Sequence, residues 1–368
     1  MSSPHLVVLS RSIPPDTGGY QRQITLLAPY LRRRFGSITW IGGLRERPRS
    51  ALGGIEGVDR MIRIRSDHLP ARVRGAASPA VIVCGLALAL WARLRRRDVH
   101  VLLLSPGMPG APLVVRALVR LGVAVVARYP TSGDLTERRG RSVARARGVR
   151  TIAPSPLQTR ERTEFRVTMV PNAVASSTQQ APRHEVEPIG RRRRFVYVGR
   201  LIRRKRADLL VDAWRAVLSD LPEWELVLVG GGGVEPDSIE TELRAQVDTG
   251  SMCRVVLTGN VRDPSELLRS SDVFVFPSVK EGQPNSVLEA LAEGLAVIAD
   301  PTRMAEWFDP VPPLLPWSGQ PEDLAQAMRQ AAGRNDLGEI GADGRAFVER
   351  HHRPQQTAQL IAAALGVA

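Results

Sequence analysis

With 368 residues, 43% of them apolar and 24% charged, the chain is too long for one compact core and suits two domains of ordinary size. Two cysteines, Cys84 and Cys253, far apart inside apolar segments, argue against a disulfide framework or a cysteine metal site and for a reducing compartment. The formal charge of +14 is uneven, with 29 Arg against 10 Asp plus Glu in residues 1–171 and a mildly acidic remainder; this suits an anionic membrane surface or a phosphorylated substrate, and nucleic acid is disfavoured because no zinc pattern, RNP-like run or aromatic-interleaved basic segment occurs.

Taken in chain order, the N-terminal MSSPHLVVLSRS lacks a charged region followed by a long apolar stretch and reads as a first strand, not a signal peptide. Strands are expected at His5–Leu9, Ser37–Ile41, Met61–Ile64, Val99–Leu104, Val123–Ala127, Thr151–Ala153 and Val167–Val170, with helical patterns at 19–34, 78–95, 109–121 and 155–163. The longest apolar run, Ala80–Leu90, is about half of what a membrane-spanning helix needs, and reads as a core helix ended by Arg93, Arg95, Arg96 and Arg97. Asn172–Arg194 then turns polar and irregular, which reads as a linker. A second alternating set follows, with strands at Phe195–Val198, Glu225–Val229, Val255–Leu257, Val273–Phe276 and Ala296–Ala299 and three helical patterns after residue 320. Short Val/Ile/Leu runs alternating with longer helical patterns indicate parallel sheets built from βαβ units. The expected organisation is a domain at 1–172, a linker at 173–193 and a domain at 194–353. Two doubly wound domains imply a cleft facing the C-terminal strand ends, where ligands bind.

Several motifs carry chemistry at those strand ends. Gly18-Gly19 forms a glycine turn after the first strand, able to offer backbone amides to a phosphate or a sugar, or to be merely a tight turn. Gly199-Arg200-Leu201 follows the first strand of the second set, and Lys205 is placed at the opening of the next helix. Arg200 and Lys205 can clamp a diphosphate with charge-assisted hydrogen bonds, unless they simply decorate a helix start. Gly230–Gly233 looks like a dinucleotide fingerprint, but Glu235 stands where its third glycine is required, and no P-loop spacing exists anywhere. Glu281 and Glu289 lie eight positions apart across the start of a helix opened by Pro284-Asn285-Ser286. Two acceptors beside an anion-friendly helix end suit a ligand with both phosphates and hydroxyls, such as a sugar nucleotide, although the spacing alone also fits two surface carboxylates. Histidine is sparse and no Asp-x-Asp pair occurs, so no metal site is expected.

Together, Gly18-Gly19, VPNAV at 170–174, VGRLIRRKR at 198–206, LVLVGGG at 226–232, TGNV at 258–261, SDVFVFPS at 271–278 and EGQPNSVLEALAEG at 281–294 resemble the retaining GT-B glycosyltransferases of family four. The resemblance implies an α/β fold of two Rossmann-like doubly wound domains facing a central cleft. The first would bind the acceptor and the second a UDP- or GDP-sugar, with the last helix, about 354–366, crossing back to the first domain. It implies catalytic roles for Arg200 and Lys205, on the leaving diphosphate, and for Glu281, on the donor-sugar hydroxyls. Gly282, Gln283, Pro284, Asn285 and Ser286 would lie beside the donor, with Gly18, Gly19, Gly199 and Gly231 at its glycine turns. Glu289 would accept from the ribose hydroxyls and Val261 line the base pocket. Such enzymes transfer sugar with retention, the departing phosphate helping to deprotonate the acceptor, and need neither metal nor cofactor.

The chain departs from the family pattern in three places. The first-domain loop that usually carries a His reads Arg128-Tyr129-Pro130-Thr131-Ser132-Gly133-Asp134; Arg128, Thr131, Ser132 and Asp134 are the acceptor-side candidates there. Ala173 replaces a common glycine and Ala296 a common proline. The basic first domain suggests a membrane-bound or phosphorylated acceptor, such as a polyprenyl-diphosphate-linked saccharide, with soluble acceptors left open, and the expected location is cytoplasmic, with that domain able to meet the inner face of the membrane. The competing readings are a sugar-nucleotide epimerase, which the missing His disfavours, and a non-catalytic GT-B scaffold.

Overall fold

The structure is a computed structural model. It describes residues 3–10, 19–44, 54–65, 98–108, 110–129, 137–160, 166–175, 193–233, 235, 237–248 and 253–367, together with Ala87. Nearly all of the expected helix at 78–95, Cys84, Gly18, Thr131, Ser132, Asp134 and most of the expected linker lie outside the described residues.

Two compact units form, one from Met1–Ala173 with Pro354–Ala368 and the other from Val174–Arg353. The first unit runs β1 (His5–Ser10), α1 (Gly19–Arg32), β2 (Ser37–Leu44), β3 (Arg60–Arg65), β4 (Val99–Leu103), α2 (Ala111–Arg120), β5 (Ala124–Arg128), α3 (Arg138–Ala144), β6 (Val149–Ala153), α4 (Pro156–Arg160) and β7 (Val167–Met169). Its seven strands are all parallel in the order β3-β2-β1-β4-β5-β6-β7. Strands covered on both faces read as unbroken apolar runs because neither face meets water, and β1 (HLVVLS) is buried at every position. Successive side chains alternate between faces. Val7 and Leu9 join Val115, Leu118 and Val143 of α2 and α3, whereas Leu6 and Val8 join Ile24, Leu27 and Leu31 of α1.

The second unit runs β8 (Arg193–Val198), a 3-10 turn (Arg203–Lys205), α5 (Ala207–Val217), β9 (Trp224–Val229), α6 (Glu240–Asp248), β10 (Val255–Gly259), α7 (Ser265–Arg269), β11 (Val273–Phe276), α8 (Asn285–Ala292), β12 (Ala296–Ala299), α9 (Pro301–Trp307), β13 (Leu315–Pro316), α10 (Pro321–Ala332) and α11 (Leu337–His351). Its six strands are parallel in the order β10-β9-β8-β11-β12-β13. Phe195 and Tyr197 face α5 and α10, and Val196 faces the opposite layer with α8, α9 and α11. Chain order along this sheet reverses at β8: β9 and β10 extend to one side, and the chain then returns to add β11 on the other. Neighbouring strand-end loops diverge at such a switch point and leave a crevice between them.

The last helix, α12 (Pro354–Leu365), belongs to the first unit and packs on α1. Ile361, Ala362 and Leu365 enter the same layer as Leu6 and Val8. Polar ties fix its ends: Thr357 Oγ1 donates to the Pro171 carbonyl at 3.2 Å, His100 Nδ1 to the Leu365 carbonyl at 3.0 Å and Arg150 Nη1 to the Ala364 carbonyl at 2.7 Å. Helix α2 starts later than position 109 because Gly110 takes a left-handed conformation at its N-cap. Cys253 is exposed, not inside an apolar segment, since it precedes β10 instead of entering it.

Candidate functional site

The site is built on the switch point between β8 and β11. At the end of β8, Tyr197 is buried and its hydroxyl donates to the Arg200 carbonyl at 3.0 Å. A side chain at Gly199 would stand 2.5 Å from that hydroxyl, so glycine there lets Tyr197 pin the loop. Burial and the nearby Glu281 carboxylate both push the Tyr197 phenol far above its ordinary pKa, which keeps it a donor.

The chain then makes its 3-10 turn through Lys205, and Arg206 takes φ 58 before α5 begins at Ala207. Lys205 therefore does not open the helix: the left-handed residue separates the two, and the ammonium is set into the crevice and not along the helix axis. Only 16% of its side chain is exposed, and it pairs with Glu281, whose side chain is 12% exposed. Burial pulls the Lys205 ammonium below its usual pKa, with Glu281 acting in the opposite sense. Ser278 donates from Oγ to the same Glu281 oxygen at 2.7 Å. One carboxylate thus spans the switch point, held by a cation from the β8 loop and a hydroxyl from the β11 loop.

Arg200 has different surroundings. It is exposed, and Nη1 meets Glu235 Oε1 at 2.6 Å with both side chains nearly half open to water. A pair of that kind is worth about 0–1 kcal/mol, so Arg200 can turn to another anion at little cost. Sequence reasoning coupled Arg200 and Lys205 as one clamp; the structure separates them into an exposed, exchangeable cation and a buried one.

The glycine-rich loop after β9 has a structural explanation. Gly230 has φ 137, and a Cβ there would lie 1.9 Å from the Gly199 carbonyl, so the loops after β8 and β9 touch backbone to backbone. The Gly232 amide donates to Glu240 Oε2 at 2.7 Å, and Leu201 donates to the Gly231 carbonyl at 3.2 Å. Gly231 itself is buried in this weave.

On the β11 side, Gly282, Gln283 and Pro284 are buried, and Asn285, Ser286 and Glu289 are half-buried on α8. Gln283 donates from Nε2 to the Trp307 carbonyl at 3.1 Å, which commits that end of its side chain to α9. Val261 packs half-buried against the layer that contains Phe276 and Val287. Among the described residues no group of three or more His, Cys, Asp or Glu is placed to hold a metal ion. Ser278, Tyr197 and Glu240 were missed in the sequence, and Glu235 was read only as interrupting a glycine fingerprint. Ser278 alone had a local signal, a hydroxyl three positions before Glu281 and just past the strand.

In the first unit Gly19 is exposed at the start of α1. Arg128, last residue of β5, is buried; Nη2 donates to Asn172 Oδ1 at 2.7 Å, and Nη1 has no hydrogen-bond partner among the described residues. Burial lowers its pKa to about 10. Its guanidinium is turned onto the VPNA segment, where Gln23 also brackets Ala173 through both its amide atoms at 2.7 and 2.8 Å.

Residues 192–333 match the family described as glycosyl transferases group 1. This segment belongs to that family. The group 1 segment contains Arg200, Lys205, Ser278, Glu281 and Glu289. A structure of Anabaena HepE in complex with UDP and glucose is similar over 99% of this chain and 100% of its own, with a TM-score of 0.70 at 16% identity, and the fold is GT-B. Sequence relatives include the Escherichia coli UDP-Gal:α-D-GlcNAc-diphosphoundecaprenol α-1,3-galactosyltransferase, 34% identical over 106 residues, covering 28% of this chain and 27% of that protein. The Rhizobium meliloti lipopolysaccharide core biosynthesis mannosyltransferase LpsB is 31% identical over 102 residues, covering 27% of this chain and 29% of LpsB. The chain thus spans little more than a quarter of the length of the curated relatives it matches.

Proposed function

We propose that this chain is a retaining, metal-independent glycosyltransferase that moves a hexose from a nucleoside diphosphate sugar to a saccharide or lipid-linked acceptor. The observation that carries the reading is the Lys205–Glu281–Ser278 cluster across the switch point of the group 1 segment, with Arg200 exposed one loop turn away. A sugar nucleotide offers phosphate to the cations and hydroxyls to the carboxylate. Arg200 and Lys205 then stabilise the charge that grows on the leaving diphosphate, a role that fixed cations fill without a metal. Glu281 holds the sugar, and the departing phosphate oxygen takes the acceptor proton, so no protein nucleophile is required. Glu289 and Val261 are assigned to the ribose and the base.

The acceptor reading draws on the relatives: the Escherichia coli protein acts, by its name, on a diphosphoundecaprenol-linked sugar, and the Arg-rich first unit suits an acceptor at the inner face of a membrane. Among the described residues no helix is long and apolar enough to cross one. Release of nucleoside diphosphate from a panel of UDP- and GDP-sugars, with and without EDTA and with the product anomer read by NMR, tests the reading. Release with retention in EDTA is expected. Interconversion of donor sugars without release would indicate an epimerase, and no turnover with any donor and acceptor would indicate a scaffold.

A further inference from the structure

Helices α2 and α3 of the first unit pack side by side, and between them lies a shallow cavity of about 370 Å³ lined by Arg116, Arg138, Arg141, Ser142 and Arg145. Nothing in the transfer chemistry uses it. Arg138, Arg141 and Arg145 recur at i, i+3 and i+7, so they share one face of the short helix and its C-cap, and Arg116 approaches from α2. The guanidinium groups of Arg116, Arg138 and Arg141 make no hydrogen bond or ion pair among the described residues. Glu137, beside them, lines the neighbouring cavity with Arg138 and Ser142, and its Oε2 lies 2.8 Å from where a Cβ at Gly107 would stand. Like charges packed this closely repel one another, and a folded surface commonly intersperses acids to relieve that. Among the described residues no acid lines this cavity, and a hydroxyl, Ser142, does. At the N-terminal end of α2, Leu113 is 72% exposed.

We propose that Arg116, Arg138 and Arg141 form a cradle for a phosphate group, distinct from the donor site in the second unit. Guanidinium forks match phosphate oxygens two at a time, which three arginines around one cavity and a serine hydroxyl are suited to do. The phosphate comes either from a membrane lipid headgroup, with Leu113 beside it in the apolar layer, or from a soluble phosphorylated compound. The headgroup source rests on the membrane part of the function proposed above; the cradle itself does not depend on sugar transfer.

The test compares the full-length protein with Arg116→Gln/Arg138→Gln/Arg141→Gln and with a control of equal charge loss on the same unit, Arg33→Gln/Arg34→Gln/Arg60→Gln. One arm measures binding of inorganic pyrophosphate by calorimetry, with each protein also carrying Arg200→Gln/Lys205→Met, which removes the donor-site cations. The other measures sedimentation with vesicles of phosphatidylglycerol and phosphatidylcholine. An anionic surface gives about a fivefold gain per arginine, so the cradle variant is expected to bind roughly 100-fold more weakly and the control far less so. Loss in the vesicle arm alone assigns a headgroup, and loss in the pyrophosphate arm alone assigns a soluble ligand. Equal weakening in the cradle variant and the control, or no binding by the protein with an intact cradle in either arm, overturns the cradle. Donor turnover with a soluble acceptor is measured alongside, so a failed cradle and a failed transferase reading give different results.

Discussion

The Lys205–Glu281 pair should behave as one energetic unit, and a double-mutant cycle measures it. Replacing Lys205 with Met leaves the Glu281 carboxylate largely buried with only the Ser278 hydroxyl to meet it. Breaking a buried pair on one side costs about 3–5 kcal/mol, and with side chains still 16% and 12% exposed the lower end, about 3 kcal/mol, applies. For a unit of this size each kcal/mol moves Tm by about 2–4 °C, so Lys205→Met is expected to melt roughly 6–12 °C lower. Glu281→Gln should lose a similar amount because it strands a desolvated ammonium. The double variant Lys205→Met/Glu281→Gln removes both charges and keeps an acceptor for Ser278, so it should return to within about 1.5 kcal/mol of the wild type. Denaturant unfolding followed by tryptophan fluorescence is a suitable assay, since Trp214, Trp224, Trp307 and Trp317 all lie in the second unit. All three variants should lose about 10²–10³ in kcat/KM, because transition-state charge is no longer met. Strictly additive losses would show that the pair is not coupled in solution. Near-normal turnover in either single variant would remove that residue from the mechanism.

Ser278→Ala should lower kcat about tenfold with KM little changed and stability down by about 1 kcal/mol, as expected of a positioning hydroxyl; unchanged kcat would show that Glu281 holds its place without it. Gly230→Ala sets a Cβ 1.9 Å from the Gly199 carbonyl at φ 137, and a loss of about 3 kcal/mol or more is expected in chemical denaturation; a neutral result would mean that the two loops do not touch. Arg244 and the Gly232 amide hold the Glu240 carboxyl below its ordinary value of 4.5, against the opposing effect of burial. A depressed folded pKa gives stability that is present above about pH 4.5 and fades as the pH falls through the folded value. Glu240→Gln should therefore melt below the wild type at pH 6, with a gap that narrows as the pH falls below 4.5, and a gap that widened on acidification would contradict this assignment.

Where the sequence was informative, burial was the reason. Strands such as β1, β9 and β11 are covered on both faces, so their apolar runs mark them within a residue or two. Helix α3 was invisible for the opposite reason: RRGRSVA buries only Gly140, Val143 and Ala144 and shows no apolar period. The two-residue β13 is too short to leave a pattern. At the site, the strand-end positions of Arg200, Lys205 and Glu281 were legible because glycines follow apolar runs there. Their pairing was not: Lys205 and Glu281 are 76 residues apart in the chain, and they meet only because sheet order sets β8 beside β11. Nor could spacing reveal that Arg206 adopts a left-handed conformation, which moves Lys205 off the helix and into the crevice.

The buried pair also bears on what the site will accept. A ligand with phosphate but no hydroxyls would draw Lys205 away and leave Glu281 with Ser278 alone; a free sugar would engage Glu281 and leave Lys205 desolvated without its counter-charge. Either half-match leaves a buried ion uncompensated, the situation that costs several kcal/mol when one partner of such a pair is removed. A nucleotide sugar supplies both halves in one molecule and satisfies each ion as it separates them. The donor should therefore bind more tightly than its nucleoside diphosphate by about tenfold or more, a step of about 1.4 kcal/mol. In Lys205→Met/Glu281→Gln, where no ion has to be compensated, that gap should close. Calorimetry with UDP and the matching UDP-sugar on both proteins measures it, and an equal gap in wild type and double variant would show that the pair does not select the donor.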